Sequence, residues 1–150
     1  IQQTANQPEP ALASYRLAIE KDPDNWVTLN NIAYVLSDVR GENKEALPFA
    51  KRAVGRSESE AALDTLGWIY VGLGQYADAI AELSRAIRLK PDYALPYYHL
   101  GEAYRRSSKF SEASSILAEA KPLAAAAKDE GLGQLITTSL QRVEQRDAKP

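Results

Sequence analysis

The chain has 150 residues with 18 basic and 20 acidic side chains, a net charge of −2, which lacks the basic excess of a nucleic-acid surface. Cysteine is absent and His99 is the single histidine, so disulfides and thiolate metal sites are excluded and a zinc site has few ligands to draw on. At 45% hydrophobic content, and with no apolar run near the ~20 residues of a membrane span, the chain reads as one globular domain without a membrane-inserted segment.

The first residue is Ile1, as expected of a chain processed or cut from a longer one, so the lack of a leader says nothing about compartment. Residues 1–8 are polar and turn-rich and are expected to fray. Residues 9–22 place Leu12, Tyr15 and Ile19, with the small Ala11 and Ala18, at helical spacing; Pro10 suits the first turn and Pro23 ends the helix. In register with later segments, Ala11 pairs with Ala46, Tyr15 with Ala50 and Ala18 with Ala53. The segment therefore reads as the second helix of a repeat whose first helix is missing, and truncation from a larger array is expected.

Residues 26–55 form a complete unit. Asn25 is placed to cap a helix from Trp26 to about Ser37, with Leu29, Ile32, Ala33 and Leu36 on its inner stripe. The loop SDVRGEN carries one extra residue, and a second helix starting at Glu42 or Asn43 contains Ala46, Leu47, Ala50, Ala53 and Val54, with Pro48 about one turn inside. The next unit, 60–91, has a first helix ending near Leu73, a left-handed cap at Gly74, a second helix from about Tyr76 to Leu89, and Pro91 at its close. A third unit, 94–121, has Tyr97, Leu100, Gly101 and Tyr104 on its first stripe. Ser111 is expected to cap its second helix, where Ala113, Ile116, Leu117 and Ala120 face inward and Pro122 is expected to break or kink the run. A last amphipathic helix, 132–146, starts just past Gly131 and carries Leu135, Ile136, Leu140 and Val143 without a repeat partner. It reads as a capping helix for the final repeat.

The units recur with a period of about 34 residues. Leu66 returns as Leu100, Gly67 as Gly101, Tyr70 as Tyr104, Tyr76 as Phe110, Ala79 as Ala113, Leu83 as Leu117 and Ala86 as Ala120. From Ala11 to Ala120 this pattern resembles the tetratricopeptide repeat family. The wording LNNIAYVLSD, EALPFAKRAV and ALDTLGWIY further resembles bacterial multi-repeat scaffold proteins, including envelope-associated ones used in polysaccharide export or cell-surface assembly. The first complete unit departs from the pattern, with Ala33 for Gly, Leu36 for Tyr and no closing proline, which leaves its inter-repeat angle open. The resemblance implies an all-α fold: a right-handed superhelix, or solenoid, of antiparallel helix pairs whose concave face is lined by the first helix of each unit.

On those first helices the face opposite the packing stripe holds Val27, Asn30, Tyr34 and Ser37, then Ala61, Asp64, Trp68 and Val71, then Leu95, Tyr98, Glu102 and Arg105. Of these, Asn30, Tyr34, Asp64, Trp68, Val71, Tyr98, Glu102 and Arg105 are the candidate partner-binding groove. Tyr34, Trp68 and Tyr98 are either interface anchors or mere packing against the next repeat. Family members that grip acidic chaperone tails use Lys, Asn and Arg at these places. Here only Asn30 fits and Asp64 would repel a carboxylate, although Arg105 and Arg106 could hold one acidic group. His99 lies beside Tyr98 with Glu102 three residues on, but without a nucleophile or second ligand it reads as a half-exposed helix residue.

No catalytic residue, metal site or cofactor is expected. The expected function is a non-catalytic protein–protein interaction scaffold that takes a peptide or helix of a partner. Two alternatives stand beside it: self-association into a homo-oligomer through the N-terminal helix, or service as the recruiting arm of a larger enzyme or secretion system.

Overall fold

The computed structural model describes residues 8–147, and every regular element among them is helical. Helix α1 (Pro8–Lys21) is followed by three antiparallel pairs: α2 (Trp26–Tyr34) with α3 (Asn43–Arg56), α4 (Glu60–Gly72) with α5 (Tyr76–Leu89), and α6 (Ala94–Arg106) with α7 (Phe110–Ala126). Helix α8 (Glu130–Asp147) closes the stack. Apart from Pro8, which opens α1, the expectation for residues 1–8 falls outside the described residues.

Contacts run from each helix to the next in chain order, and α2, α4, α6 and α8 also touch in sequence. This makes an all-α right-handed helical solenoid in which those four helices form one wall and α8 caps the last pair. The second and third pairs are each held by a large side chain filling the space above a glycine. A methyl group added at Gly67 would lie 2.5 Å from Leu83 Cγ, and one at Gly101 would lie 2.5 Å from Leu117 Cγ. Both leucines are fully buried, as are Ala79, Ala86, Ala113 and Ala120 on the same faces. Small residues at these places let the helix axes approach; leucines fill what is left.

Local chemistry sets several of the helix ends. The Asn25 side chain accepts from the Thr28 N–H at 3.0 Å and the Ser59 hydroxyl from the Ala62 N–H at 3.2 Å. Gly74 sits at φ +74°, and its neighbour Gln75 donates to the Tyr70 carbonyl at 2.9 Å, which satisfies the C-terminal end of α4. One repeat later Ser108 occupies the same left-handed region at φ 62°, with Lys109 donating to the Tyr104 carbonyl.

Four local expectations change. The extra residue of SDVRGEN is absorbed inside the helix as a π-helical turn, Val35–Val39, so that α2 ends at Tyr34 in regular form. One residue too many for a 3.6-residue turn is accommodated by widening that turn. Pro122 does not break α7, which continues to Ala126. Pro122 and Ala118, whose carbonyl loses its helical partner, are both on the exposed side, so water can replace the missing bond. Ser111 is not the cap of α7; the helix starts at Phe110 with Lys109 before it. Finally, α8 begins ahead of Gly131, because the Asp129 carboxylate accepts from the Leu132 N–H at 2.9 Å and caps the helix there.

Candidate functional site

The wall formed by α2, α4, α6 and α8 is indented by a cavity of about 420 Å³. Asn30 and Tyr34 come from α2, Asp38 from the π turn, Asp64 and Trp68 from α4, Leu95, Tyr98 and His99 from α6, and Leu135 from α8; Tyr93 borders it from the loop before α6. The register follows from the repeat: one side of each first helix packs on its partner, which leaves the other side to line the indentation.

Trp68 is the most constrained of these groups. Its ring stacks on His99 with centroids 4.2 Å apart and planes 18° apart, while Tyr98 is tilted against it at 6.3 Å. The Arg106 guanidinium lies 5.6 Å from the indole centroid, a cation–π contact. The indole N–H donates to Asp38 Oδ1 at 3.3 Å, so the widened turn is what brings an acceptor to Trp68. His99 is in turn fixed by its Nδ1 against Asp64 Oδ1 at 2.8 Å, and both groups are buried. The His99 ring and the Asp64 carboxylate thus tie α4 to α6 in the wall of the cavity.

The tyrosine hydroxyls around the rim are all displaced in the same direction. Burial, then the charge of Asp38 and a hydrogen bond to it, raise Tyr34 above the usual phenol range. Burial and the charges of Asp64 and Glu60 raise Tyr93. For Tyr98, burial and the charge of Glu102 outweigh the opposite pull of Arg106, Ser139 and Arg142. All three stay protonated and can donate. One acceptor is left over: Asn30 Oδ1 is buried without a hydrogen-bond partner.

The eight groove residues expected from the sequence divide. Asn30, Tyr34, Asp64, Trp68 and Tyr98 line the one cavity. Val71 stands apart from it, 2% exposed, and packs with Ala79, Leu83 and Leu100 in the core between α4, α5 and α6. Glu102 is equally inaccessible at 2% exposure, because α8 lies over it and the Ser139 hydroxyl donates to it at 2.6 Å. Arg105 grips Glu102 through Nε and NH2 at 2.9 and 2.8 Å and borders a different cleft. Burial pushes the Glu102 carboxyl up, but the bonds from Arg105 and Ser139 and the charges of Arg105 and Arg106 prevail and lower it to about 2. His99 is a correction too: it is buried at 8% exposure rather than half-exposed.

Six lining residues escape a reading confined to first-helix faces, among them Asn31 and Thr65, each one place past a residue of the open stripe. Asp38 arrives only through the π turn, and Tyr93 sits before the helix. Leu135 belongs to α8, whose apolar residues read from the sequence as packing alone, yet it is exposed. Ser139, one turn after Leu135, donates to Glu102 on α6, so this stripe of α8 faces α6. His99, one place past Tyr98, lies between the packing and open stripes and so could belong to either.

Residues 67–107 match the family model described as TPR repeat. A TPR repeat-containing protein of Pseudomonas aeruginosa is 36% identical over 90 residues, 58% of this chain and 15% of that protein. Protein FlbA of Caulobacter vibrioides is 35% identical over 98 residues, 63% of this chain and 16% of its own length. The chain thus spans about a sixth of the length of these curated relatives. Among solved structures, a thermophilic TPR protein of Thermus thermophilus superposes with a TM-score of 0.76 at 21% identity, over 93% of this chain and 76% of that one. The TPR2B domain of yeast Sti1, solved as a complex with pHsp70, does so with a TM-score of 0.69 at 14% identity, over 92% and 99%.

Proposed function

The chain is built of tetratricopeptide repeats, and from that premise we propose that it is a non-catalytic scaffold module that holds an extended segment of a partner protein in the cavity around Trp68. The observation that carries this reading is where the exposed apolar surface lies. Of the six large hydrophobic side chains left exposed among the described residues, Tyr34, Tyr93 and Leu135 border this one cavity, beside Trp68, Leu95 and Tyr98. Apolar groups scattered singly need no explanation, whereas apolar groups gathered in a concavity do. Aromatic anchors of this kind dominate the energetics of protein interfaces.

Two further features support a peptide as the occupant. Asn30 Oδ1 lacks a donor, and a backbone N–H of an extended segment would supply one. Trp68 is already held by His99, Asp38 and Arg106, so little side-chain freedom is lost on binding. The Sti1 domain, which shares the fold, was captured with pHsp70, an instance of this architecture in a complex. Self-association through the N-terminal helix has weaker support, since Leu17 is the one large apolar side chain of α1 left exposed. No helix among the described residues is long and apolar enough to cross a membrane.

The test is selection of peptides from a displayed library on the wild-type protein, followed by titration against variants. Selected peptides are expected to bind Trp68→Ala with Tyr34→Ala at least ~10-fold more weakly, which corresponds to about 1.4 kcal/mol. Affinities unchanged by the double substitution would sink the groove reading.

A further inference from the structure

A second concave feature lies at the C-terminal ends of α6 and α8, beside the first turns of α5 and α7, and meets the cavity around Trp68 only where Arg106 packs on the indole. It is a cleft of about 500 Å³ lined by Arg105, Arg106, Arg142 and Arg146, with Ser108, Gln145, Tyr76 and Phe110 completing it. Four guanidinium groups therefore face one space. Among the described residues the one carboxylate paired with them is Glu102, which lies beneath them, bound by Arg105 at 2.8 Å and by Arg106 at 3.4 Å. Arg142 and Arg146 have no carboxylate within 4.0 Å among the described residues, and both are exposed.

Helix dipoles account for part of this arrangement but not all of it. Arg105 and Arg106 lie in the last turn of α6 and Arg146 in the last turn of α8, where a cation is favoured by the C-terminal carbonyls. Arg142 stands a full turn earlier, beyond the reach of that effect, and still faces the same cleft. The chain as a whole is acidic, so a local excess of three positive charges runs against its composition.

We infer that this cleft is a binding site for an acidic peptide segment, one bearing about three closely spaced carboxylates. Three features set that class of ligand. Guanidinium forks match carboxylates in bidentate geometry, and four forks around one space with a single carboxylate among them favour several further carboxylates over one. The cleft is larger than a single small anion requires and opens to solvent, as a chain segment needs. The apolar edges of Tyr76 and Phe110, with the Ser108 hydroxyl and the Gln145 amide, offer contacts to a backbone and its side-chain stems. The site draws half its charge from α8, and it does not depend on the reading of the cavity around Trp68.

The experiment uses fluorescein-labelled hexaglutamate, with labelled hexaglutamine as the neutral control, in anisotropy titrations at low and physiological salt. Saturable binding of hexaglutamate alone is expected, weakening steeply as salt rises. Arg142→Gln with Arg146→Gln is expected to reduce affinity at least ~10-fold while leaving the helical circular dichroism and melting midpoint in place, because both side chains are exposed and neither pairs with a carboxylate among the described residues. Lys21→Gln with Lys51→Gln removes the same charge from elsewhere on the surface and should leave binding within about twofold. The proposal is overturned if hexaglutamate binds no better than hexaglutamine, or if the two double variants lose affinity equally. It is overturned as well if inorganic phosphate or phosphatidylserine vesicles bind at the cleft and hexaglutamate does not.

Discussion

Replacing Gly67 by leucine is expected to lower the unfolding free energy toward the upper end of the ~1–3 kcal/mol seen when a packed core is overfilled. The cause is a single contact. Even the first carbon of a new side chain would sit 2.5 Å from Leu83 Cγ and 2.8 Å from its Cδ2. Leu83 is fully buried, and the atom met first is its branch point rather than its flexible tip, so it has nowhere to swing. The pair α4 and α5 must therefore separate. A helix interior ordinarily gains about 1 kcal/mol when glycine gives way to a better helix former, so net destabilisation here would isolate the steric term. The comparison variant is Gly133→Leu: a Cβ there meets nothing within 4 Å, and its urea midpoint should stay the same or rise. Equal midpoints for Gly67→Leu and the wild type would contradict the packing account.

Glu102→Gln is the second large effect, and its signature is in pH. The folded carboxyl titrates at about 2 against an ordinary 4.5. A carboxyl lowered on folding contributes stability that is fully present above the unfolded value and is lost as pH falls toward the folded one. The window is therefore from about pH 4.5 down to about 2. At about 1.4 kcal/mol for each pH unit between the two values, the contribution is on the order of 3 kcal/mol at neutral pH. Glutamine keeps the shape and the acceptor for Ser139 but removes the charge that holds Arg105 and Arg106. Urea midpoints of wild type and Glu102→Gln should differ most at pH 7 and converge as pH approaches 2, since the other carboxyl groups titrate alike in both. Parallel curves across that range would mean that Glu102 contributes nothing through its charge.

These two residues also mark what the sequence makes legible. Gly67 and Gly101 recur 34 places apart with leucines in step, and a spacing that regular admits one packing solution, so the helix pairs follow directly. The candidate cavity was legible where it depends on the same period: Asn30, Tyr34, Asp64, Trp68 and Tyr98 share one face by helical geometry. What lay outside the period was not. Glu102 falls on the correct face of α6, but whether that face is open depends on α8, a segment with no counterpart in the repeat whose docking is set by tertiary contact. Val71 shows the same limit from the other side: it lies at the edge of its stripe, where a few degrees of rotation decide between groove and core. Asp38 reached Trp68 because one surplus residue was taken up as a wider turn rather than a longer loop, a choice that local pattern does not encode.

The measurement that bears most directly on the proposed groove is a nitrogen-15 nuclear magnetic resonance titration of the wild-type chain with a library-selected peptide. The two indole N–H signals, from Trp26 and Trp68, report from different places: Trp68 in the cavity wall and Trp26 packed with Leu29 and Ala53 near the start of α2. The account predicts saturable shifts of the Trp68 indole and of the Tyr34 and Tyr98 backbone amides, with Trp26 unmoved. Shifts confined to the opposite wall, on α3, α5 and α7, with the Trp68 signal unchanged at saturation, would contradict it.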